Sequence, residues 1–313
     1  MLPRSVAEAT EASPARSADA LAGFALVRHK LADYLLLTRA RLAFLVLVTG
    51  LTSFWLASGV SLDATRLLWF GLGTFLLIGG ANAFNQIAER DRDRLMTRTA
   101  RRPIPAGRMS LSEAWSAALA LSLSGLALLL FSTNRLTALL GASALSIYLF
   151  AYTPLKPRSD WSTLVGAISG AIPPLMGWSA VRGEIAPAAL ILFAVLFFWQ
   201  FPHTWAIAAY YREDFMRVGY RVLPLSDPSG RRTRRQGLVC GLGLVLASFL
   251  PAWLGKAGSG YVVAALLLDL ALLFYLARFV RDRSRATGGR LLAFSLVYLP
   301  LLLAFLVLDG RRP

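Results

Sequence analysis

The chain has a single cysteine, Cys240, among its 313 residues. One thiol cannot form an internal disulfide, and it suits neither a thiolate metal cluster nor a redox pair. Charged residues are also scarce, at 16% of the chain, whereas hydrophobic residues make up 56%. Ordinary water-soluble domains need a more polar surface than this composition provides. The sequence therefore predicts a polytopic membrane protein.

Apolar windows of about 20 residues, the length needed to cross a hydrocarbon layer of about 30 Å, follow one another along the chain. They predict an all-α protein with nine transmembrane helices. The windows lie at residues 42–61, 67–87, 111–131, 136–154, 162–181, 187–208, 237–255, 260–279 and 291–308.

The first 25 residues are rich in Ala, Ser, Pro and Glu, and they lack the sustained apolar core of a cleavable signal peptide. Residues 1–30 are therefore predicted to be a disordered cytoplasmic tail, and residues 31–313 to form one transmembrane domain. The stretch from Arg28 to Arg41 predicts a short interfacial helix that leads into the first span, with a plain linker as the alternative.

The net charge of +16 would suit a nucleic-acid-binding protein, but the distribution of the charge argues against one. With the N-terminus inside, 27 of the 33 basic residues fall in inner segments and 6 in outer segments. The positive-inside rule then predicts a protein of the cell inner (plasma) membrane with a cytoplasmic N-terminus and an outer C-terminus. The inner charge also favours contact of the protein with the anionic headgroups of the lipid bilayer or with an anionic substrate. No nucleic acid is expected as a partner.

Two inner loops, at residues 88–110 and 211–236, are long and highly charged. Asp93 and Asp214 each follow an apolar span that changes abruptly into acids and arginines, and they lie 121 residues, or four spans, apart. This spacing indicates two related four-helix modules with a ninth helix appended. A site built from both loops would open toward the cytoplasm.

Asn85, Glu89 and Asp93 recur at positions i, i+4 and i+8 at the end of the second span. If the helix continues past the membrane surface, the three side chains share one face, and Asp91 points elsewhere. Carboxylates with an amide oxygen suit Mg²⁺, which is usually held by one or two carboxylates, phosphate oxygens and water. The alternative is that the acids only pair with nearby arginines on a solvated helix end.

Basic side chains follow these acids and also lie at the inner end of the fourth span. Arginine binds phosphate oxygens through two parallel hydrogen bonds, and lysine supplies a point charge. If the acids hold a metal and the bases beside them hold phosphate, the sequence predicts a diphosphate site at the membrane surface. The alternative is that these bases are inner-face cations that only set the membrane topology. The candidate bases are Arg98, Arg101, Arg102, Lys156 and Arg158.

The sixth span ends in a second polar cluster. His203 directly follows Pro202, a residue expected to break the helix and free backbone carbonyls. Asp214 is a candidate second metal contact, whereas Glu213 is expected to pair with a neighbouring arginine. A histidine alone near the membrane interface is more often structural than functional, so the composition leaves the role of His203 open.

The segments "NQIAERDRD", "MTRTARRPIPAG", "YTPLK", "SGAIPPLMGW" and "WQFPHTWAIAAYYREDF" resemble the UbiA superfamily of intramembrane prenyltransferases. The likeness covers about residues 35–308, and the Pro-His pair and "YYREDF" resemble its haem-modifying branch. The resemblance implies nine helices around a central cavity and Mg²⁺ as cofactor. It also implies a reaction that joins the farnesyl group of farnesyl diphosphate to a vinyl group of haem b, giving haem O and diphosphate.

Individual residues take roles from this resemblance. Asn85, Glu89 and Asp93 match the first metal-diphosphate motif, with Glu89 where Asp is usual. Arg98, Arg101, Lys156 and Arg158 match diphosphate-binding positions, while the second motif departs because only Asp214 and Glu213 stand where several aspartates are common. His203 would orient the haem or handle a proton near the vinyl group. Aromatic side chains near the reacting centre would stabilise a farnesyl cation or line the acceptor pocket, with membrane anchoring as the alternative: Tyr152, Phe198, Trp199, Trp205 and Tyr211.

Three other functions compete with this one. A related prenyltransferase acting on a quinone precursor or a chlorophyll-like ring would carry a similar first motif. A secondary transporter would place polar residues near the membrane midplane, whereas here they cluster at one face. A CDP-alcohol phosphotransferase would need a D-x-x-D-G motif, which the chain lacks. Asp269, in the middle of the eighth span, is predicted to be protonated or hydrogen-bonded to a neighbouring helix and is not assigned to the site.

Overall fold

The computed structural model of the protein describes residues 14–310. In this range nine helices are long and apolar enough to cross a membrane, so the predicted all-α fold and number of spans are confirmed. Several helices extend beyond the apolar windows at their inner ends, because charged residues continue the helix past the membrane surface. The helices are α1 Pro14–Leu37, α2 Ala40–Ser58, α3 Ala64–Leu95, α4 Leu111–Ser132, α5 Arg135–Ser146, α6 Thr153–Leu155, α7 Ser162–Arg182, α8 Pro187–Tyr210, α9 Arg212–Arg217, α10 Leu223–Ser226, α11 Arg231–Trp253, α12 Ser259–Asp282 and α13 Arg285–Asp309.

Helix α1 occupies much of the segment that was predicted to be a disordered tail. Residues 1–13 lie outside the described residues, but from Pro14 the chain is helical, because Ala and Leu in this stretch are strong helix formers. The end of α1 is tied to the inner ends of α3 and α4. Lys30 pairs with Glu113 at 3.0 Å, and Gln86 donates to the carbonyl oxygen of Leu37 at 2.6 Å. A helix, and not a linker, therefore leads to the first span.

Helices α7 and α8 occupy the centre of the bundle. Helix α7 packs against α2, α5 and α8, and α8 packs in turn against α11 and α13. Helices α2 and α7 cross so closely that a Cβ atom at Gly177 would overlap the carbonyl oxygen of Gly50. Side chains on α7 and α8 can therefore reach cavities on both sides of these helices.

The fourth span contains a π-helical segment, Ile147–Tyr152, between α5 and α6. The wider turn accommodates Pro154, which has no N–H to donate, and the Thr153 hydroxyl donates to the carbonyl oxygen of Tyr148 at 2.8 Å. Such π-helical insertions are frequent at functional sites. Here the segment brings Tyr148, Tyr152 and Lys156 to the wall of one cavity.

The prediction that Pro202 breaks the sixth span is wrong. Helix α8 runs without interruption through Pro202, as α7, α11 and α13 do through their own prolines. The prolines inside α7, α8 and α11 are buried against neighbouring helices, whereas Pro300 of α13 is exposed. Helices in membranes tolerate proline when their surroundings satisfy the freed backbone groups.

Candidate active site at the inner end of the bundle

The inner end of α3 presents Asn85, Glu89 and Asp93 on one buried face. None of these three residues is more than 4% exposed, whereas the side chain of Asp91 is largely exposed. Asp91 lies beside Arg90 and Arg94 of its own helix. The shared face follows from the four-residue spacing, since the helix continues to Leu95. The three candidate metal ligands therefore point into the protein and not to a solvated surface.

Each of these polar groups meets a base from another segment. Lys156 Nζ lies 2.7 Å from Glu89 Oε1, and Arg102 Nη1 lies 2.5 Å from Asp93 Oδ2. Arg39 donates from Nη2 to Asn85 Oδ1 at 3.0 Å. The two ion pairs are largely buried, so removing either partner would leave an unpaired charge in a poorly solvated place.

The bases keep their charge near neutral pH. Burial lowers the pKa of Arg102 to about 10, and the nearby positive charge of Arg39 acts in the same direction. Burial also lowers the pKa of Lys156, but the Glu89 carboxylate more than offsets it, so the pKa lies above the ordinary lysine value. Burial and the negative charge of Glu89 raise the pKa of Tyr220, which stays a neutral phenol.

These groups line a polar chamber of about 140 Å³ at the inner end of the bundle. Four basic side chains face two carboxylates there, so the chamber carries a surplus of positive charge suited to an anion. Aromatic rings flank the bases: the Lys156 ammonium lies 4.6 Å from the ring centroid of Tyr152. We define the polar chamber by Arg39, Glu89, Asp93, Met96, Arg98, Arg102, Tyr152, Lys156, Ser162, Thr163, Thr204, Ile207, Phe215, Tyr220 and Val222.

Not all predicted diphosphate residues reach the chamber. Arg98 lies at its rim, with its guanidinium 5.0 Å from the ring centroid of Tyr211, while Tyr211 itself does not line the chamber. Arg101 and Arg158 are exposed and do not line it. Arg101 precedes Arg102 in a turn, so only one of the two neighbours can face Asp93. The sequence shows that bases follow the acids, but not which way each turn directs its side chain.

Asp214 joins the two inner loops. Its carboxylate is buried and accepts hydrogen bonds from the backbone N–H groups of Thr97 and Arg98, at 2.9 and 3.2 Å. Burial would raise the pKa of Asp214, but these hydrogen bonds outweigh it and hold the pKa below the ordinary aspartate value. Asp214 links the two inner loops in this way. Asp214 nevertheless faces the loop backbone and not the chamber, and Glu213 is exposed.

An apolar cavity of about 300 Å³ continues from the polar chamber into the membrane-spanning region. Aliphatic side chains such as Val46, Leu77 and Met176 line it, and the stacked rings of Tyr148 and Tyr152, with centroids 5.2 Å apart, stand on its wall. The cavity and the chamber share residues at their junction, which makes one connected space with a charged end and an apolar end. The shared residues are Arg39, Tyr152, Lys156, Thr163 and Thr204.

His203 and Trp199 do not line this connected space. Their rings stack with centroids 4.5 Å apart, and both side chains contact Ser295 of α13. Trp205 is fully buried in the core between α8 and its neighbours. The α8 residues that do line the apolar cavity are Gln200 and Thr204. Because successive helical residues are about 100° apart, the residues of the segment "WQFPHTW" lie on several faces of α8.

Arg39 is a site residue that the sequence analysis missed. It lies in the stretch from Arg28 to Arg41 that was predicted to form an interfacial helix, yet it lines both the chamber and the cavity. Its backbone is left-handed, with φ of 48°, an uncommon conformation for a residue other than glycine. This geometry turns the chain between α1 and α2 and directs the guanidinium toward Asn85. Its position just before the first span is the signal that could have identified it.

Among residues 14–310, no cluster of three or more His, Cys, Asp or Glu side chains is arranged to hold a metal ion. Mg²⁺ does not require such a cluster, since one or two carboxylates with phosphate and water are sufficient. Glu89 and Asp93 each use one carboxylate oxygen in an ion pair, which leaves Glu89 Oε2 and Asp93 Oδ1 for a cation. The donor set therefore fits Mg²⁺ bound together with a phosphate-containing ligand.

The sequence matches the UbiA prenyltransferase family over residues 46–301. The chain belongs to this family. As UbiA relatives, curated proteins named "Protoheme IX farnesyltransferase" are 42% identical over 286 residues in Solibacter usitatus and 40% identical over 281 residues in Opitutus terrae. These matches cover 88% and 90% of this chain and 98% and 95% of the relatives.

Solved structures of other membrane proteins share the fold. A digeranylgeranylglyceryl phosphate synthase matches with a TM-score of 0.75 at 19% identity, covering 91% of this chain and 100% of the other. An Archaeoglobus fulgidus UbiA homologue bound to GPP and Mg²⁺ matches with a TM-score of 0.61 at 14% identity, covering 87% and 99%. The protein is therefore a multi-span membrane enzyme of the UbiA prenyltransferase family.

Proposed function

We propose that the protein transfers the farnesyl group of farnesyl diphosphate to a vinyl group of haem b, giving haem O and diphosphate. The observation that carries the proposal is the connected space with a surplus of buried cations at one end and an apolar cavity at the other. A prenyl diphosphate has the same two parts. The names of the relatives at about 40% identity supply the acceptor and the length of the prenyl chain.

In this reaction the carbon–oxygen bond of farnesyl diphosphate breaks, and the bonding electrons leave with the diphosphate. The farnesyl cation bonds to the terminal carbon of the vinyl group, and water adds to the other vinyl carbon and loses a proton. The Lys156 ammonium and the Arg98 and Arg102 guanidiniums stabilise the negative charge that develops on the leaving group. Glu89 and Asp93, beside Asn85, would hold Mg²⁺, which would supply further neutralisation of the diphosphate when bound.

The apolar cavity protects the reacting carbon from water. The stacked rings of Tyr148 and Tyr152 stand on the cavity wall next to the junction with the polar chamber. Their faces stabilise a nearby carbocation by about 0.5 to 2 kcal/mol each through cation–π attraction. Arg39, at the same junction, anchors Asn85 and adds positive charge near the departing diphosphate.

We propose further that the polar chamber opens to the cytoplasm of a cell with this protein in its inner membrane. Farnesyl diphosphate is charged and water-soluble at its head, so it would reach the chamber from the inner face without crossing the bilayer. The 27 basic residues of the inner segments favour this orientation, and Asp214 couples both inner loops at the chamber rim.

The direct test uses the purified protein with haem b, farnesyl diphosphate and Mg²⁺, followed by mass spectrometry of the extracted haem. The expected product is haem O, which is haem b with an added farnesyl group and an added hydroxyl group. One diphosphate should form with each haem O. Parallel reactions replace haem b with an aromatic quinone precursor. Prenylation of that precursor with no haem product would contradict the proposal and assign the protein to the quinone branch of the family.

A further inference from the structure

A second cavity, of about 250 Å³, lies between α7, α8 and α11 at the inner side of the membrane. Its floor consists mainly of aromatic side chains from α8, on a different helical face from Gln200 and Thr204. The mechanism described above does not use this cavity. We call it the aromatic groove and define it by Asp160, Trp161, Thr163, Leu164, Phe197, Phe198, Phe201, Trp205, Leu223, Arg232, Arg235, Gln236, Val239 and Cys240.

Two arginines stand at the mouth of the aromatic groove. Arg232 and Arg235 are three residues apart near the start of α11, so they share one side of that helix. Arg232 donates to Asp160 Oδ2 at 2.8 Å, whereas Arg235 makes no ion pair or hydrogen bond with any residue in the described range. Cations at a helix N-terminus oppose the helix dipole, so an anionic partner at the groove mouth would stabilise them.

The floor of the groove also contains unpaired polar atoms. Trp205 is fully buried, and its indole Nε1–H has no acceptor in the part of the chain that the structure describes. The hydroxyl of Thr163 is likewise buried and unpaired. Buried polar groups in folded proteins are nearly always hydrogen-bonded, so these groups indicate a ligand or water in the groove.

Thr163 connects the groove with the site of prenyl transfer. This residue lies in the first turn of α7 and lines the aromatic groove, the polar chamber and the apolar cavity. A ligand in the aromatic groove would therefore lie beside the place where the carbon–oxygen bond of the prenyl diphosphate breaks. The groove is in the right position for the second substrate of a two-substrate transferase.

We propose that the aromatic groove binds the acceptor as a flat aromatic dianion, which under the proposed function is haem b. The porphyrin ring would lie against the half-buried rings of Phe197 and Phe198, which meet edge to face at 79°, so that one ring offers its face and the other its edge. Its two propionates would meet Arg232 and Arg235. The vinyl groups are on the opposite edge of the ring and would point from the mouth toward Thr163. A phospholipid, with one phosphate and flexible chains, would match neither the aromatic floor nor the paired arginines.

The test compares two double variants in nanodiscs of neutral phosphatidylcholine. Arg232→Gln with Arg235→Gln removes the charges at the groove mouth, and Arg231→Gln with Arg234→Gln removes two charges of the same helix that do not line the groove. We expect the first pair to weaken haem b binding by about tenfold or more, measured by visible absorbance, and the control pair to change it by less than about twofold. The affinity for farnesyl diphosphate should be unchanged in both.

Three results would overturn the inference. One is unchanged haem affinity in the groove-mouth variant, and another is equal weakening in the control variant, which would indicate general attraction by a basic surface. The third is an effect that occurs only in nanodiscs with added phosphatidylglycerol, which would assign the arginines to a lipid phosphate. Haem dimethyl ester, which lacks free carboxylates, should bind wild type and variant alike. The inference rests on the proposed function, but failure of wild type to make haem O would refute that function separately.

Discussion

Replacing Lys156 with Met tests the buried ion pair at the centre of the polar chamber. Methionine keeps most of the side-chain volume and removes only the ammonium group that lies 2.7 Å from Glu89 Oε1. The side chains of Lys156 and Glu89 are 16% and 5% exposed, so water can replace little of the lost contact. The variant therefore leaves Glu89 as a buried, uncompensated charge.

The expected cost is that of breaking a buried pair, about 3 to 5 kcal/mol of folding stability. Removing both charges with Glu89→Gln and Lys156→Met leaves no uncompensated group, so the double variant should recover most of this loss. Activity should not recover, because the diphosphate loses a cation that the proposed mechanism requires. Loss of a charged hydrogen bond to the diphosphate should weaken its binding by about 1.5 to 3 kcal/mol.

The assay is a double-mutant cycle on apparent melting temperature in detergent, combined with farnesyl diphosphate affinity. A loss of 3 kcal/mol corresponds to roughly 5 °C in a chain of 313 residues. Arg158→Met is the matched control, because Arg158 is a basic residue two positions away that is exposed and outside the chamber. A double variant no more stable than Lys156→Met alone would refute the ion pair.

Four further predictions concern the same site and its orientation. Asp93→Asn should abolish product formation while membrane insertion, measured by fractionation, stays normal; full activity with Mg²⁺ would contradict the metal assignment. Arg39→Gln should raise the KM for farnesyl diphosphate, and an unchanged KM would exclude Arg39 from the site. Reporters fused after Pro313 and inserted at Gly107 should report the outer side and the cytoplasm, respectively; the reverse would refute the topology. Because hydrogen bonds lower the pKa of Asp214, its anchoring of the loop should persist above the ordinary aspartate pKa and fail as the pH falls through the lowered value. Limited proteolysis of the loop at decreasing pH should detect this, and Asp214→Asn should remove that acid-dependent step.

The sequence was sufficient to predict the spans and the acid-bearing face of α3. Both depend on local periodicity: apolar windows of fixed length, and a four-residue spacing that places Asn85, Glu89 and Asp93 together. It could not predict which base meets which acid. A π-helical segment precedes Lys156, which pairs with Glu89, and Arg39, which donates to Asn85, has a left-handed backbone between α1 and α2. Neither conformation has a signal in the one-dimensional pattern.

The α8 motif shows a second limit of sequence reasoning. "WQFPHTW" contains residues of every helical face, and the resemblance draws attention to His203, which packs on Ser295 of α13. The residues that line the apolar cavity, Gln200 and Thr204, are chemically less conspicuous. Which face of a membrane helix lines a cavity depends on the packing of distant helices, here α2, α7 and α13, and composition alone does not contain that information.

The two ion pairs explain why an anionic substrate and a cation belong together in the polar chamber. Glu89 and Asp93 are each neutralised by one base, Lys156 and Arg102 respectively. A diphosphate that takes hydrogen bonds from these bases would leave both carboxylates as buried, unpaired charges, which is costly in a poorly solvated chamber. A divalent cation shared between the carboxylates and the phosphate oxygens removes that cost. Since each ligand repairs the charge imbalance that the other creates, the binding of the two should be mutually reinforcing, as linkage requires.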